Sequence, residues 1–287
     1  MNPNILLLLV VTLVWGTTFP LLKSATADLS GLEVSALRFV IAAVCMAPFL
    51  LRTHRRVWRD GALLGGLVLL SYVMQAYGMQ FISSNRNAFL TGLNVLMVPL
   101  LGLLFGRKPA RIIVLASVLA CGGIGLLSWE GGGNLIGDSA TIFSALLYAL
   151  YVIALSRYAP HHAPRQLAAT QITLMALFGC IGVLVSEAGT PALATLPERM
   201  SAHWLTLLYL GAVASAGMLF LQALAQRHVS AEKAAIVYAM EPVFAAVFGW
   251  VLLGEWLGTR GLAGGALVVL AMILCEWRPK PRTAQAG

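Results

Sequence analysis

Two ionisable side chains, Arg38 and Glu241, fall well inside long apolar runs. Counted from residue 231 at 1.5 Å per residue, Glu241 lies about 15 Å along its run. A lone carboxylate at that depth in hydrocarbon is very unfavourable, so it must be neutral or paired. Two uses follow. Glu241 exchanges a proton or meets the ammonium group of a solute; or, protonated, it donates to the carbonyl that Pro242 deprives of its N–H partner. Arg38 lies roughly 7 Å below the end of its own run, from where its long stem can snorkel to the interface. It reads as a structural charge, an anchor or a partner for Glu255.

The uncharged polar and aromatic residues are spaced as helix faces. One run presents Trp15, Thr18 and Phe19; another Ser71, Gln75 and Met79; a third Asn87, Thr91 and Asn94. Later in the chain come Thr141, Ser144, Tyr148 and Tyr151, then Ser215, Met218, Gln222 and Gln226, then Tyr238 beside Glu241. Any one such stripe is commonly packing glue between helices. Six together point to a wet, amphipathic cavity. Its expected lining is Trp15, Thr18, Phe19, Gln75, Met79, Thr91, Asn94, Tyr148, Tyr151, Gln222 and Tyr238. Pro99 and Pro242, with Glu241, are the expected hinge or coupling positions, since each proline removes a backbone donor from its helix.

Such a lining also constrains the cargo. Phosphorylated solutes need Lys or Arg clamps when they leave water, and only Arg38 is available. A small neutral or zwitterionic, partly apolar metabolite fits better, and amino acids with aromatic or apolar side chains suit Tyr, Trp, Met and Gln walls. Enzymatic signals are missing: there is no His-Glu-x-x-His, no Gly-x-Ser-x-Gly and no phosphate-binding loop. The five histidines lie at loops or run ends. Cys45, Cys121, Cys180 and Cys275 occupy four different runs at no metal or redox spacing, and read as packing residues. No cofactor or metal is expected.

These residues need elements to hold them, and composition says which. Of 287 residues, 59% are hydrophobic and 10% charged, with a mean hydropathy of +0.85. A water-facing domain carries about 25% charge, so an ordinary soluble enzyme is excluded, and disorder with it. Ten apolar stretches of membrane-spanning length stand near 4–22, 34–51, 61–82, 87–106, 111–128, 138–156, 166–186, 203–225, 232–253 and 260–277. The first lacks a basic flank and a small-x-small site, so it reads as a retained helix.

With the first residues cytoplasmic, 14 of the 19 basic residues fall on inside loops and four outside. That bias sets orientation, with both termini cytoplasmic, and accounts for the net charge of +8 without nucleic acid. The chain also repeats itself. Gly106 and Trp129 bracket one Gly-rich stretch as Gly254 and Trp277 bracket another, 148 residues on. Trp15 with Tyr148, and Arg38 with Gln171, are offset by 133. Each half then holds five spans, and an odd repeat must insert its second copy upside down. The expected units are 4–130 and 138–277, followed by a basic tail, 278–287. Gly102-x-x-x-Gly106 and Gly261-x-x-x-Gly265 allow close helix approach within the bundle or between protomers. Oligomeric state stays open, and a monomer suffices.

Trp15-Gly16-x-x-Phe19, Leu37-Arg38-Phe39 and Glu241-Pro242-Val243-Phe244-Ala245, with Gly254-Glu255 after it, resemble the EamA-type drug/metabolite transporters over both halves of the chain. Within them the resemblance runs to bacterial YddG-like amino-acid exporters. It implies an all-α membrane fold of ten helices in two inverted five-helix repeats, a central cavity, a bacterial inner-membrane location and export by alternating access. One departure is visible: the first half has Gly106-Arg107 where the second has Gly254-Glu255. A proton-coupled drug or cation efflux pump using Glu241 is the alternative function, and an intramembrane enzyme the remote one.

Overall fold

The computed structural model describes residues 2–51, 53–104, 106, 108–128, 134–253 and 258–276. Among the described residues the ten apolar stretches are predominantly helical, and there is no strand. The first half comprises α1 (Pro3–Gly16), α2 (Thr18–Ala25), α3 (Gly31–Met46), α4 (Arg55–Phe81), α5 (Ser84–Gly92), α6 (Asn94–Leu104) and α7 (Arg111–Ser128). The second comprises α8 (Leu135–Tyr158), α9 (Pro164–Glu187), α10 (Pro191–Ala202), α11 (Trp204–Leu208), a π-helical segment (Tyr209–Gly217), α12 (Met218–Gln226), α13 (Ala231–Tyr238), α14 (Glu241–Leu253) and α15 (Gly258–Glu276).

Seven described stretches are long and apolar enough to cross a membrane; Arg111–Leu126 and Gly258–Leu274 are shorter apolar helices. The outer surface confirms the setting. Leu104, Leu135, Leu51 and Val185 are more than 70% exposed, an arrangement that water would penalise and lipid tails accept.

The two halves share local devices. Ser83 caps α5 by accepting from the Arg86 N–H, and Ser230 caps α13 by accepting from the Lys233 N–H, 147 residues later. Both stretches then break. α5 ends at Gly92 and α6 begins at Asn94; α13 ends at Tyr238 and α14 begins at Glu241, again 147 residues on. Pro99 lies inside α6, which runs on through it, whereas Pro242 occupies the first turn of α14, where its missing N–H has no helical partner to lose. Packing repeats likewise: α3 meets α9 and α7 meets α15, each helix against its counterpart, while α4 packs on α8 as α12 packs on α1.

Small residues permit these crossings. Ser71 on α4 and Ser144 on α8 each donate to the other's backbone carbonyl, at 3.0 and 2.8 Å. On α7, a Cβ at Gly123 would stand 2.7 Å from the Gly264 carbonyl of α15. On α15 that crossing falls inside Gly261-x-x-x-Gly265, whereas Gly123 of α7 belongs to neither G-x-x-x-G sequence. Gly106 is described, but Trp129, Gly254, Glu255, Trp277 and the tail 278–287 lie outside the described residues.

The stretch from Glu187 to Ala202, between two of the apolar stretches, contains α10. Pro191 starts it in the position where proline favours a helix. Its polar anchor is Arg199, whose guanidinium donates to both Glu33 oxygens and to the Asp28 carbonyl. The Glu33 carboxylate in turn holds Arg199 above its ordinary pKa. A search for long apolar runs passes over α10, which is short and whose residues are at most half-buried.

Candidate functional site

The breaks in the helices converge on a small cavity of about 30 Å³, lined by Trp15, Thr18, Ser71, Tyr72, Gln75, Thr91, Tyr148 and Glu241. Trp15 and Thr18 flank the α1–α2 break, Thr91 precedes the α5–α6 break, and Glu241 opens α14. Gly16 makes this convergence possible: a Cβ there would stand 2.8 Å from the Phe244 Cβ and 3.1 Å from the Glu241 carbonyl.

Aromatic rings form one wall. Trp15 meets Tyr148 with centroids 6.1 Å apart and Tyr238 at 5.8 Å, and Tyr148 meets Tyr151 at 5.7 Å and Tyr238 at 5.9 Å. These are edge or tilted contacts, in which the positive rim of one ring faces another's π cloud. Their polar tips are fixed by amides. Gln222 donates to the Tyr148 hydroxyl at 3.0 Å and accepts from Tyr151 at 3.1 Å; Gln171 donates to Tyr151 at 3.4 Å; Tyr238 donates to Gln226 at 3.0 Å. The Trp15 indole N–H donates to the Ala214 carbonyl at 2.9 Å, within the π-helical segment.

The opposite wall is an amide and hydroxyl relay. Gln75 donates to Thr91 Oγ1 at 3.3 Å, Thr91 donates to the Asn87 carbonyl at 2.8 Å, and Asn87 returns to the Gln75 carbonyl at 3.1 Å. Asn94 donates to the Thr91 carbonyl at 2.9 Å, spanning the α5–α6 break.

Of the expected lining, Trp15, Thr18, Gln75, Thr91 and Tyr148 border the cavity. Tyr151, Gln222 and Tyr238 stand one layer behind, bonded or packed to the lining; Asn94 touches it through Thr91. Phe19 and Met79 go elsewhere, into an apolar cluster with Leu22, Leu29, Val34 and Ala76. Helical spacing put them on the polar stripes, yet each stripe extends past the cavity's depth. Tyr72 and Ser71 complete the lining. Tyr72 was legible, being three residues before Gln75 on the same face.

Arg38 does not snorkel. It is 3% exposed, its Nε donates to Ser215 Oγ at 2.9 Å, and its guanidinium stacks 4.6 Å from the Tyr72 centroid and 5.4 Å from that of Phe39. Ser215 donates onward to the Leu210 carbonyl five residues back, the spacing of a π-helix. Its other expected partner, Glu255, lies outside the described residues. The Glu241 carboxylate has no hydrogen-bond or ion-pair partner among the described residues, and no bond to the carbonyl freed by Pro242 is present there.

Comparison with known proteins places this architecture. A transporter from Archaeoglobus fulgidus, described as uncharacterized, is 28% identical over 279 residues, covering 94% of this chain and 85% of its own. The uncharacterized transporter YoaV of Bacillus subtilis is 25% identical over 276 residues, covering 92% and 93%. A solved crystal structure superposes with a TM-score of 0.76 at 16% identity, covering 96% of this chain and 97% of its own. The EamA-like transporter family matches twice, over residues 2–129 and 135–276, once for each half. With both repeats matched along almost the whole length, the chain belongs to the EamA-like transporter family.

Proposed function

We propose that this transporter exports small neutral or zwitterionic metabolites, amino acids with aromatic side chains among them, from the cytoplasm across a bacterial inner membrane. One observation carries the reading: the cavity lining combines two tyrosines and a tryptophan with the Gln75 amide, three hydroxyls and the Glu241 carboxyl, and includes no cation. Aromatic faces pack an apolar side chain, and oriented amides bond an ammonium or carboxylate group without a fixed positive charge. A phosphate ester would find nothing to neutralise it.

At about 30 Å³ the cavity admits one water-sized guest, whereas small-molecule sites run to roughly 300 Å³ or more, so a solute enters only when the walls part. The two five-helix repeats, inverted in the membrane, rock against each other to open one mouth or the other. Differential contact with solute in each state biases the switch.

Counterflow in proteoliposomes, with a panel of amino acids, sugars and cationic dyes, tests this. Amino acids are the expected winners, and Tyr148→Ala, Gln222→Ala and Tyr238→Ala each reduce flux of the aromatic ones about 10-fold or more while the protein still folds. Unchanged flux in all three overturns the site; flux of sugars or dyes alone overturns the cargo.

The lone carboxylate of Glu241 on the cavity wall favours a second reading, coupling to protons. A carboxyl that binds a proton in one state and releases it in another makes flux respond to a pH gradient. Glu241→Gln is then expected to abolish that response while solute exchange persists. Flux indifferent to the gradient in the parent protein removes proton coupling.

A further inference from the structure

A second, larger cavity opens where α4, α8 and α9 end on one face of the bundle. It measures about 850 Å³, and His54, Arg55, Arg56, Arg157, His161 and His162 line it. An adjoining cavity of about 560 Å³ shares His161 and His162 and adds Arg165 and Arg227. The acid within the larger one is Asp60, and it is already engaged. His162 Nε2 sits 2.7 Å from one of its oxygens and Arg59 Nε 3.2 Å from the other. Arg55, Arg56, Arg157 and Arg165 have no ion-pair partner among the described residues. The Nε of Arg227 is buried with no hydrogen-bond partner.

The helix starts around the cleft carry cations and no capping side chain. Four helices open with Ser30 and Glu33 in a capping box, with Ser83, with Asn134 and Asp138, or with Ser230 and Glu232, while α2 and α10 have no side-chain cap. α4 opens instead after His54, whose side chain makes no cap bond, and places Arg55 and Arg56 in its first turn. α9 opens after Ala163, which has no capping group, and places Arg165 there. Cations at a helix N-terminus oppose the macrodipole, and uncapped N–H groups are left without acceptors. Guanidinium forks plus free N–H groups are the donor set that a phosphate oxyanion accepts from.

The geometry points to a binding site for a phosphate-bearing anion in this cleft, separate from the central cavity. The anion is a lipid headgroup of the adjacent leaflet or a free phosphate; both present the same tetrahedral oxygens.

Thermal unfolding of the full-length protein in detergent distinguishes them. Inorganic phosphate is compared with chloride at equal ionic strength, and a short-chain phosphatidylglycerol with the matching phosphatidylcholine. A saturating ligand is expected to raise the midpoint by a few degrees. The rise is expected to vanish in Arg55→Gln/Arg56→Gln/Arg157→Gln and to survive in Lys108→Gln/Arg111→Gln, whose basic side chains lie on exposed surface away from the cleft. Response to phosphate and phosphatidylglycerol alike assigns a general phosphate site; response to phosphatidylglycerol alone assigns a lipid site. If the triple variant does not fold, Arg157→Gln and Arg165→Gln are titrated singly, with an expected loss of at least threefold in apparent affinity. No response to either ligand, or equal loss in the Lys108/Arg111 control, overturns the proposal.

Discussion

Arg38 shows how much of a side chain's meaning depends on what faces it. Its charge at a depth of only about five residues suggested escape to the interface, because a long stem can reach that far. What holds it inside is a hydroxyl and two ring faces; Phe39 is its neighbour in sequence, but Tyr72 of α4 and Ser215 of the π-helical segment lie outside any local window. Lysine cannot replace it: an ammonium has neither the planar face that stacks on Tyr72 nor an Nε placed for Ser215. Arg38→Lys is therefore expected to cost about 2 kcal/mol of stability, with Arg38→Met costing no more because it leaves no buried charge unsolvated. Thermal unfolding in detergent reads both. Trp15, Thr18, Gln75, Thr91 and Tyr148 were legible because each belongs to a polar stripe in an otherwise apolar run. Phe19 and Met79 show the limit of that signal, since a stripe has length and a cavity has depth.

At the level of the helix, the informative feature is where regular structure stops. The prolines suggested the interruptions, but α6 continues through Pro99, and the chain breaks at Leu93 and at Ala239–Met240. A helix tolerates one lost N–H when the neighbours fill the gap, so proline position is a poor guide to a break. The breaks are held by tertiary contact, above all the approach of Gly16 to α14. Gly16→Val inserts carbon into a space bounded by the Phe244 Cβ and two backbone atoms, and is expected to destabilise by about 1–3 kcal/mol and to reduce flux. Gly66→Ala is the matched control. Nothing lies within 4 Å of a Cβ there, so the extra helix propensity is free to act and stability holds or rises. The apolar stretches themselves were readable to within a few residues because lipid demands uninterrupted apolar length. α10 was not, since a helix lying outside the apolar spans lacks their unbroken apolar length.

For the whole molecule, the duplication was visible as a few recurring residues and is far clearer in how the helices cap, break and pair. A serine that caps α5 and another that caps α13 are chemically trivial alone. Repeated at one interval with the same break beyond, they mark the two halves as copies of one plan. The small volume of the central cavity has an electrical meaning. A bilayer at a potential of 100 mV does about 2.3 kcal/mol of work on each charge that crosses, and any continuous file of water would let ions and protons run that gradient down. A central cavity with room for about one water is expected to break the file, so the resting protein is expected to insulate. Proteoliposomes carrying it, charged by a potassium gradient with valinomycin and followed with a voltage-sensitive dye, should discharge no faster than protein-free vesicles until a transported solute is added. A cell that keeps many copies of such a protein in its membrane would then lose none of its stored potential to the idle ones.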